Sequence, residues 1–437
     1  MTRGKTVTRS TLTALASSLA LLLAQSGASA SGFGLPEISA AGVATTNALV
    51  ANPDETGAFA YNPAAMGFHD KTSVSLGGML IGPTFEVETS TGKHESDGAD
   101  WIATGFFQAA IKASPQWTIG FGVNSPMGLE NRWEEGTFPK LSGNTTVPLP
   151  PPLGPTPLPN GSHPTDSKLQ IVDFVPTVTY RVNDNLSLSG GIDLYWVKDA
   201  VLNSSLGKLD GDGTGLGFNL SALYVRDALS VGAAFRSSST VNVEGRYRPL
   251  NPTLVMLGAA LPAQGASVDV NLPWRLQLGV RYEIKPEWAV EFDWTRTGWS
   301  TFDKLVVNAD QTGGTIFQDV NNWDDADAFR FATTYQLLPQ TQLRFGYTYD
   351  KTPQGDDHFS ARVPDNDRHL FGIGVAHELA DGLSLEFGYL YVRNEQRNFR
   401  SSKPYEGLGG EINGTDALDG KYQTDANLIA FELRKYF

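Results

Sequence analysis

The sequence contains no cysteine. That excludes disulfides, thiolate metal sites and cysteine nucleophiles, and it suits an oxidising compartment. Long apolar runs are missing as well. Beyond Ala30 nothing approaches the roughly 20 apolar residues of a membrane-crossing helix. Histidine is scarce: His69, His94, His163, His358, His369 and His377 are the full set, in no spacing suited to zinc or to a serine–histidine pair. No Gly-x-Ser-x-Gly elbow occurs. Neither a metal, a cofactor nor a catalytic group is expected, and a lipid-hydrolysing enzyme of the outer membrane stands as the alternative from another class. Basic charge is also in deficit. The formal net charge is −14, which excludes nucleic acid as a partner.

Residues 1–30 have the form of a secretory signal. Arg3, Lys5 and Arg9 give a basic start, Leu12 to Ala24 an apolar run, and Ala28-Ser29-Ala30 a cleavage site. Cleavage removes three basic residues and no acidic one, so the mature chain should begin near Ser31 with a more negative charge.

Period-two alternation dominates the rest. Trp274, Leu276, Leu278, Val280, Tyr282 and Ile284 share one face, while Arg275, Gln277, Gly279, Arg281 and Glu283 share the other. After Lys285-Pro286-Glu287 the pattern resumes, with Trp288, Val290, Phe292 and Trp294 opposite Ala289, Glu291, Asp293 and Thr295. Similar segments run from Leu186 to Trp196, Leu343 to Tyr349 and Leu383 to Tyr391. One face of each suits lipid, and each is long enough to cross a membrane as a tilted strand. A soluble β-sandwich or propeller would hide the same face against a second sheet. Trp101, Trp117, Trp274, Trp288, Trp299 and Trp323 near strand ends favour the membrane, as interfacial girdles.

Connection lengths alternate too. Short ones fall at Ser114-Pro115-Gln116, Asn183-Asp184-Asn185, Arg226-Asp227-Ala228, Lys285-Pro286-Glu287, Leu338-Pro339-Gln340 and Ala380-Asp381-Gly382. Long ones fall around 89–100, 125–167, 201–214, 248–267, 301–322, 351–366 and 399–420. This predicts an all-β chain, a transmembrane antiparallel barrel of about fourteen strands over 71–437, with both ends periplasmic. Residues 31–70 are too irregular and too rich in glycine and alanine for a strand, and are expected to plug the lumen as a hatch.

The chain resembles the FadL family of outer-membrane transporters. The resemblance rests on the Gly32-Phe33 start, on Asn62-Pro63-Ala64 just ahead of the barrel, and on Leu272-Pro273-Trp274, Trp299-Ser300, Trp323-Asp324-Asp325, Phe345-Gly346-Tyr347 and Val363 to Arg368. It implies uptake of long-chain fatty acids, or alternatively aromatic hydrocarbons, by passive diffusion past the hatch, with a sideways exit at a kink in the third strand. Ser125, Pro126 and Gly128 are the candidates for that opening, since proline removes a ladder bond. The family's inner pocket offers basic side chains, which Lys198 and Lys304 match approximately, and Phe33 belongs to the segment beside it. Outer loops of the family capture substrate. Leu254, Leu257 and Leu261, in a loop that could hold a short helix, and the Pro/Leu-rich stretch 147–158 are greasy enough to serve. Inward charges such as Arg275, Arg281, Glu283, Glu291 and Asp293 are expected to anchor the hatch by ion pairs, and the Asn62-Pro63 turn to act through backbone geometry more than side-chain chemistry. The expected surroundings are outer-membrane lipid and lipopolysaccharide, with the protein a monomer.

Overall fold

The computed structural model describes residues 32–55, 61–98, 101–380 and 382–437; the expected secretory signal lies outside the described residues. The wall is a closed antiparallel barrel of 14 strands. In chain order these are β1 (Ser73–Thr89), β2 (Ile102–Lys112), β3 (Trp117–Asn124), β4 (Pro164–Arg181), β5 (Leu186–Ser204), β6 (Gly207–Arg226) and β7 (Leu229–Arg236). Then come β8 (Arg275–Lys285), β9 (Trp288–Thr297), β10 (Ala326–Leu338), β11 (Thr341–Asp350), β12 (Arg368–Ala380), β13 (Leu383–Asn394) and β14 (Gly420–Tyr436). Each pairs with the next, and the ring closes where Ser73 to Glu88 of β1 face Tyr436 to Lys421 of β14.

Alternation explains which way the side chains point. Leu278, Val280, Tyr282, Ile284, Trp288 and Phe292 are exposed on the outside, while Gln277, Arg281, Glu291 and Asp293 are buried within. Exposed apolar side chains on every part of the wall make sense only against lipid, because water would leave so continuous a belt unstable to aggregation. Trp101, Trp117 and Trp288 are exposed in this belt. Trp299 and Trp323 are not: they are 1% and 2% exposed and point inward. They sit in the 298–325 connection, which folds over the lumen, so strand-end reasoning does not apply to them.

Some long connections differ from expectation: 201–214 is strand, and 248–267 and 301–322 carry strand residues of their own. β5 and β6 continue straight through 201–214 and meet across Ser205-Leu206, so no loop exists there. Instead the upper part of β6, Gly207 to Thr214, pairs with Ser239–Pro249, which pairs with Gln264–Leu272, and the ladder continues through Lys304–Ala309 to Thr315–Val320. This outer sheet rises beyond the apolar belt. A helix, α2 in chain order after α1 (Ala40–Thr45), covers Pro252–Met256 at its tip, capped by the Asn251 side chain accepting from the Leu254 amide at 3.1 Å.

The third strand is interrupted. β3 ends at Asn124 opposite Asp173, and the chain rejoins β4 as Gly128–Arg132 with Gly128 opposite Gln170. Ser125-Pro126-Met127 therefore stand against only Ile171 and Val172. On the other side, Ile102 to Phe106 of β2 pair with β1 but, among the described residues, not with the third strand.

Candidate functional site

Residues 32–55 and 61–68 are almost wholly buried and touch inward-facing side chains all around the wall. Helix α1, N-capped by Ser39, lies on glycines: a Cβ at Gly346, Gly372 or Gly388 would stand 2.3–2.6 Å from the backbone of Thr45, Ala44 or Ala40. Only a bare strand lets a helix approach so closely. Glu432 accepts from the Ala40 amide at 3.0 Å, Asp293 from Val50 at 3.0 Å and Glu291 from Ala51 at 2.7 Å. Glu291 and Asp293 thus hold this segment through backbone hydrogen bonds rather than the ion pairs expected of them; Arg281 faces Glu291 within the wall at 3.7 Å. An ion pair to the wall does exist elsewhere, between Glu55 and Arg434 at 2.7 Å.

Asn62 uses its whole carboxamide. The oxygen caps the 3-10 helix Pro63–Phe68 by accepting from Ala64 at 3.1 Å, and Nδ2 donates to the carbonyls of Val50 at 2.7 Å and of Ala222, on β6, at 3.0 Å. The side chain thus ties the turn both to Val50 and to the wall.

The start of the segment closes the strand break. Leu35 donates its amide to the Pro126 carbonyl at 2.7 Å, Gly128 donates to the Phe33 carbonyl at 2.9 Å, and Gly34 bridges Met127. Ser125, Pro126 and Gly128 are thus at the interruption, and the N-terminal segment takes up the hydrogen-bonding edge that β2 leaves. Gly32 has φ +64°, and a Cβ there would fall 2.4 Å from the Trp323 ring. Phe33 is caged by Trp299 and Phe302, with ring centroids at 4.7 and 5.1 Å.

Above Phe33 lie two cavities. The inner one, about 120 Å³, is walled by Phe33, Leu169, Val243, Val268, Val270 and Leu305. The outer one, about 700 Å³, lies among the loops and is lined by Leu254, Leu261, Phe317, Leu408 and Ile412. Leu202, Leu209, Asp319, Ser360 and Arg362 line both and form the junction. Arg362 is 8% exposed; its Nη1 donates to Ser167 Oγ and to the Asn203 carbonyl, each at 2.9 Å, and its guanidinium lies 5.8 Å from the Phe317 ring. Asp319, on the outer sheet, accepts from Asn413 at 2.5 Å. Burial pushes its carboxyl up to about 6, with Arg362 pulling the other way.

The expected site residues divide. Phe33, Leu254 and Leu261 line cavities; Leu257, half-buried at the end of α2, lines none of those described. Lys304 is exposed, and neither it nor Lys198 lines these cavities; Lys198 falls at a register shift between β4 and β5. Lys168 and Arg246 line the inner cavity alone, and Arg362 is the basic side chain that lines both. It went unseen because it sits in the irregular 351–367 connection, where no alternation marks an inward residue, although Val363 to Arg368 beside it carried part of the family resemblance. Residues 144–159 form a separate hairpin of Asn144–Pro148 and Pro155–Pro159 that lines neither cavity.

Comparison with known proteins agrees with this geometry. The chain is 24% identical over 459 residues to a long-chain fatty acid transport protein of Escherichia coli O6:H1, covering 94% of this chain and 97% of the relative. It is 22% identical to outer membrane protein P1 of Haemophilus influenzae, covering 96% and 98%. Among solved structures, a Pseudomonas aeruginosa FadL homologue superposes with TM-score 0.74 at 18% identity, covering 92% of this chain and 99% of that one. The Pseudomonas putida toluene transporter TodX gives 0.67 at 15%, with 92% and 99% covered; at these identities the structures establish the fold. The family model described as outer membrane protein transport protein (OMPP1/FadL/TodX) matches residues 21–147 and 156–437, skipping the proline-rich hairpin tip between them, and the chain belongs to that family of outer-membrane transporters.

Proposed function

We propose that the protein takes up long-chain fatty acids across the outer membrane, with Arg362 receiving the carboxylate. The observation that carries this is a buried guanidinium at the junction of an apolar inner pocket and a larger outer cavity of mixed polar and apolar lining. A cation there costs desolvation and benefits a carboxylate, whereas an aromatic hydrocarbon gains nothing from it. The outer cavity, within the size range of lipid and drug sites, collects the molecule from the surface. The inner pocket takes chain methylenes against Phe33. The segment 31–70 acts as the hatch, and passage follows movement of Phe33 to Leu35 away from Pro126, leaving a sideways exit between β2 and the broken third strand. Diffusion down a gradient suffices, since nothing in this path requires an energy source.

Uptake of labelled oleate and labelled toluene by a deletion strain carrying this gene tests the assignment. Arg362→Gln should reduce oleate uptake at limiting concentration about tenfold, the effect of losing roughly 1.4 kcal/mol of charge-assisted hydrogen bonding. Toluene uptake should not change. Toluene transport without oleate transport by the unmodified protein would instead make it an aromatic-hydrocarbon channel.

A further inference from the structure

Below the partition made by Phe33 and Trp299 lies a third cavity, of about 60 Å³. Gly34, Leu35 and Pro36 cover one side, and Pro126 and Met127 of the strand break another. Its wall carries three guanidinium groups, Arg236, Arg275 and Arg330. Arg236 on β7 and Arg275 on β8 are direct cross-strand partners. Like charges in that relation weaken a sheet unless something negative stands between them. Asp173 pairs with Arg236 at 3.0 Å, and Asp193 pairs with it as well. Asp350, the carboxylate on the cavity, is held by Arg368 at 2.8 Å. Arg330 is 5% exposed and gives Nη1 to Thr295 at 2.5 Å, while its buried Nε has no hydrogen-bond partner. Cationic donors thus converge on a space whose own acid is engaged elsewhere.

We propose that this cavity is a transit subsite for the carboxylate head group, entered after the head group leaves Arg362 and held by Arg275 together with Arg236 and Arg330. The proposal rests on the carboxylate-substrate assignment above. Size supports a head group: about 60 Å³ admits roughly four water-sized occupants, enough for a carboxylate but not for an alkyl chain. The chain must then lie outside the cavity, and the adjoining break at Pro126 and Met127 is where it leaves the wall. Such a site holds the polar end inside while the apolar end enters lipid, which avoids moving a bare carboxylate into the membrane.

Quenching of Trp299, which borders the cavity, reports its occupation without any transport step. Purified, detergent-solubilised Arg362→Gln protein, with the upper site removed, is titrated with 6-bromohexanoate, 6-bromohexanol and sodium bromide, and the signal of the same protein carrying Trp299→Phe is subtracted. Saturable quenching by the carboxylate, at least tenfold weaker for the alcohol, is expected. Arg275→Gln should weaken it a further tenfold, and Arg275→Lys should restore part of it. Equal quenching by alcohol and acid overturns the proposal, as does an unaltered titration in Arg275→Gln. Bromide quenching as strongly as the carboxylate would make this a site for free inorganic anions and also overturns it. If Arg275→Gln fails to fold, the contrast between acid and alcohol still decides. Because no uptake is measured, a failed oleate assay with intact selective quenching would count against the transport assignment alone.

Discussion

Asn62 shows how much a single side chain carries. Three buried backbone groups, the Val50 and Ala222 carbonyls and the Ala64 amide, depend on it. Asn62→Ala removes all three bonds; the Ala64 amide keeps Ser221 Oγ at 3.1 Å, and each carbonyl that finds no other partner costs about 1–3 kcal/mol. Asn62→Asp keeps the cap but turns a charged oxygen toward two carbonyls, so it should loosen the hatch more than alanine does. Permeability to a bulky hydrophilic antibiotic should therefore rise in the order unmodified, alanine, aspartate; unchanged permeability in both variants would show that only the proline turn matters. Asp319 gives a pH test. Burial raises its carboxyl from 3.8 to about 6, so the folded protein holds that proton more tightly than an unfolded chain would. The resulting stabilisation is complete below the ordinary value and is lost as pH rises through about 6. Hydrogen exchange in Thr315–Val320, corrected for intrinsic rates, should quicken between pH 4 and 7 in the unmodified protein. Asp319→Asn, neutral throughout, should abolish that trend. The turn motif was visible in the sequence, but the partners of Asn62 were not, because they lie 12 and 160 residues away.

At the scale of elements, alternation was legible wherever a strand has lipid on one side and lumen on the other. Trp274 to Ile284 is such a case, with Leu278 exposed and Gln277 buried. Where strands rise above the membrane the rule fails, since both faces then meet protein or water. This is why 201–214 reads as a loop and is strand, and why Trp299 and Trp323 read as girdle and are cage. The proline-rich hairpin is the opposite case: its greasiness suggested capture, yet Asn144–Pro148 and Pro155–Pro159 stand apart from both cavities. Replacing residues 148–155, the stretch the family model omits, by a two-residue turn should leave oleate uptake within about twofold of normal, since surface changes remote from a site rarely alter function or stability much. A tenfold loss would return the hairpin to the capture pathway.

On the scale of the whole molecule, the wall and its contents are separable in their bonding. The ring closes from β1 to β14 without a strand from residues 32–68, which, among the described residues, join the backbone ladder only at the break in the third strand. Deleting residues 31–68 should therefore leave an inserted, heat-modifiable barrel that conducts small ions in planar bilayers far better than the intact protein and has lost saturable oleate uptake. Conductance no greater than that of the intact protein would mean that this segment does not block the lumen.

The pairing of Ser73 with Tyr436 also constrains biogenesis. A ring whose first strand meets its last cannot shut until the chain has been delivered to its final residues. The segment inside bonds both to Thr179 and Ser221 in the middle of the chain and to Glu432 and Arg434 near its end. Because its bonds to Glu432 and Arg434 lie on β14, docking of the segment and closing of the seam are coupled. The seam is then the last thing to form, its timing set by how quickly the first and last strands find each other across the longest loop the chain can make.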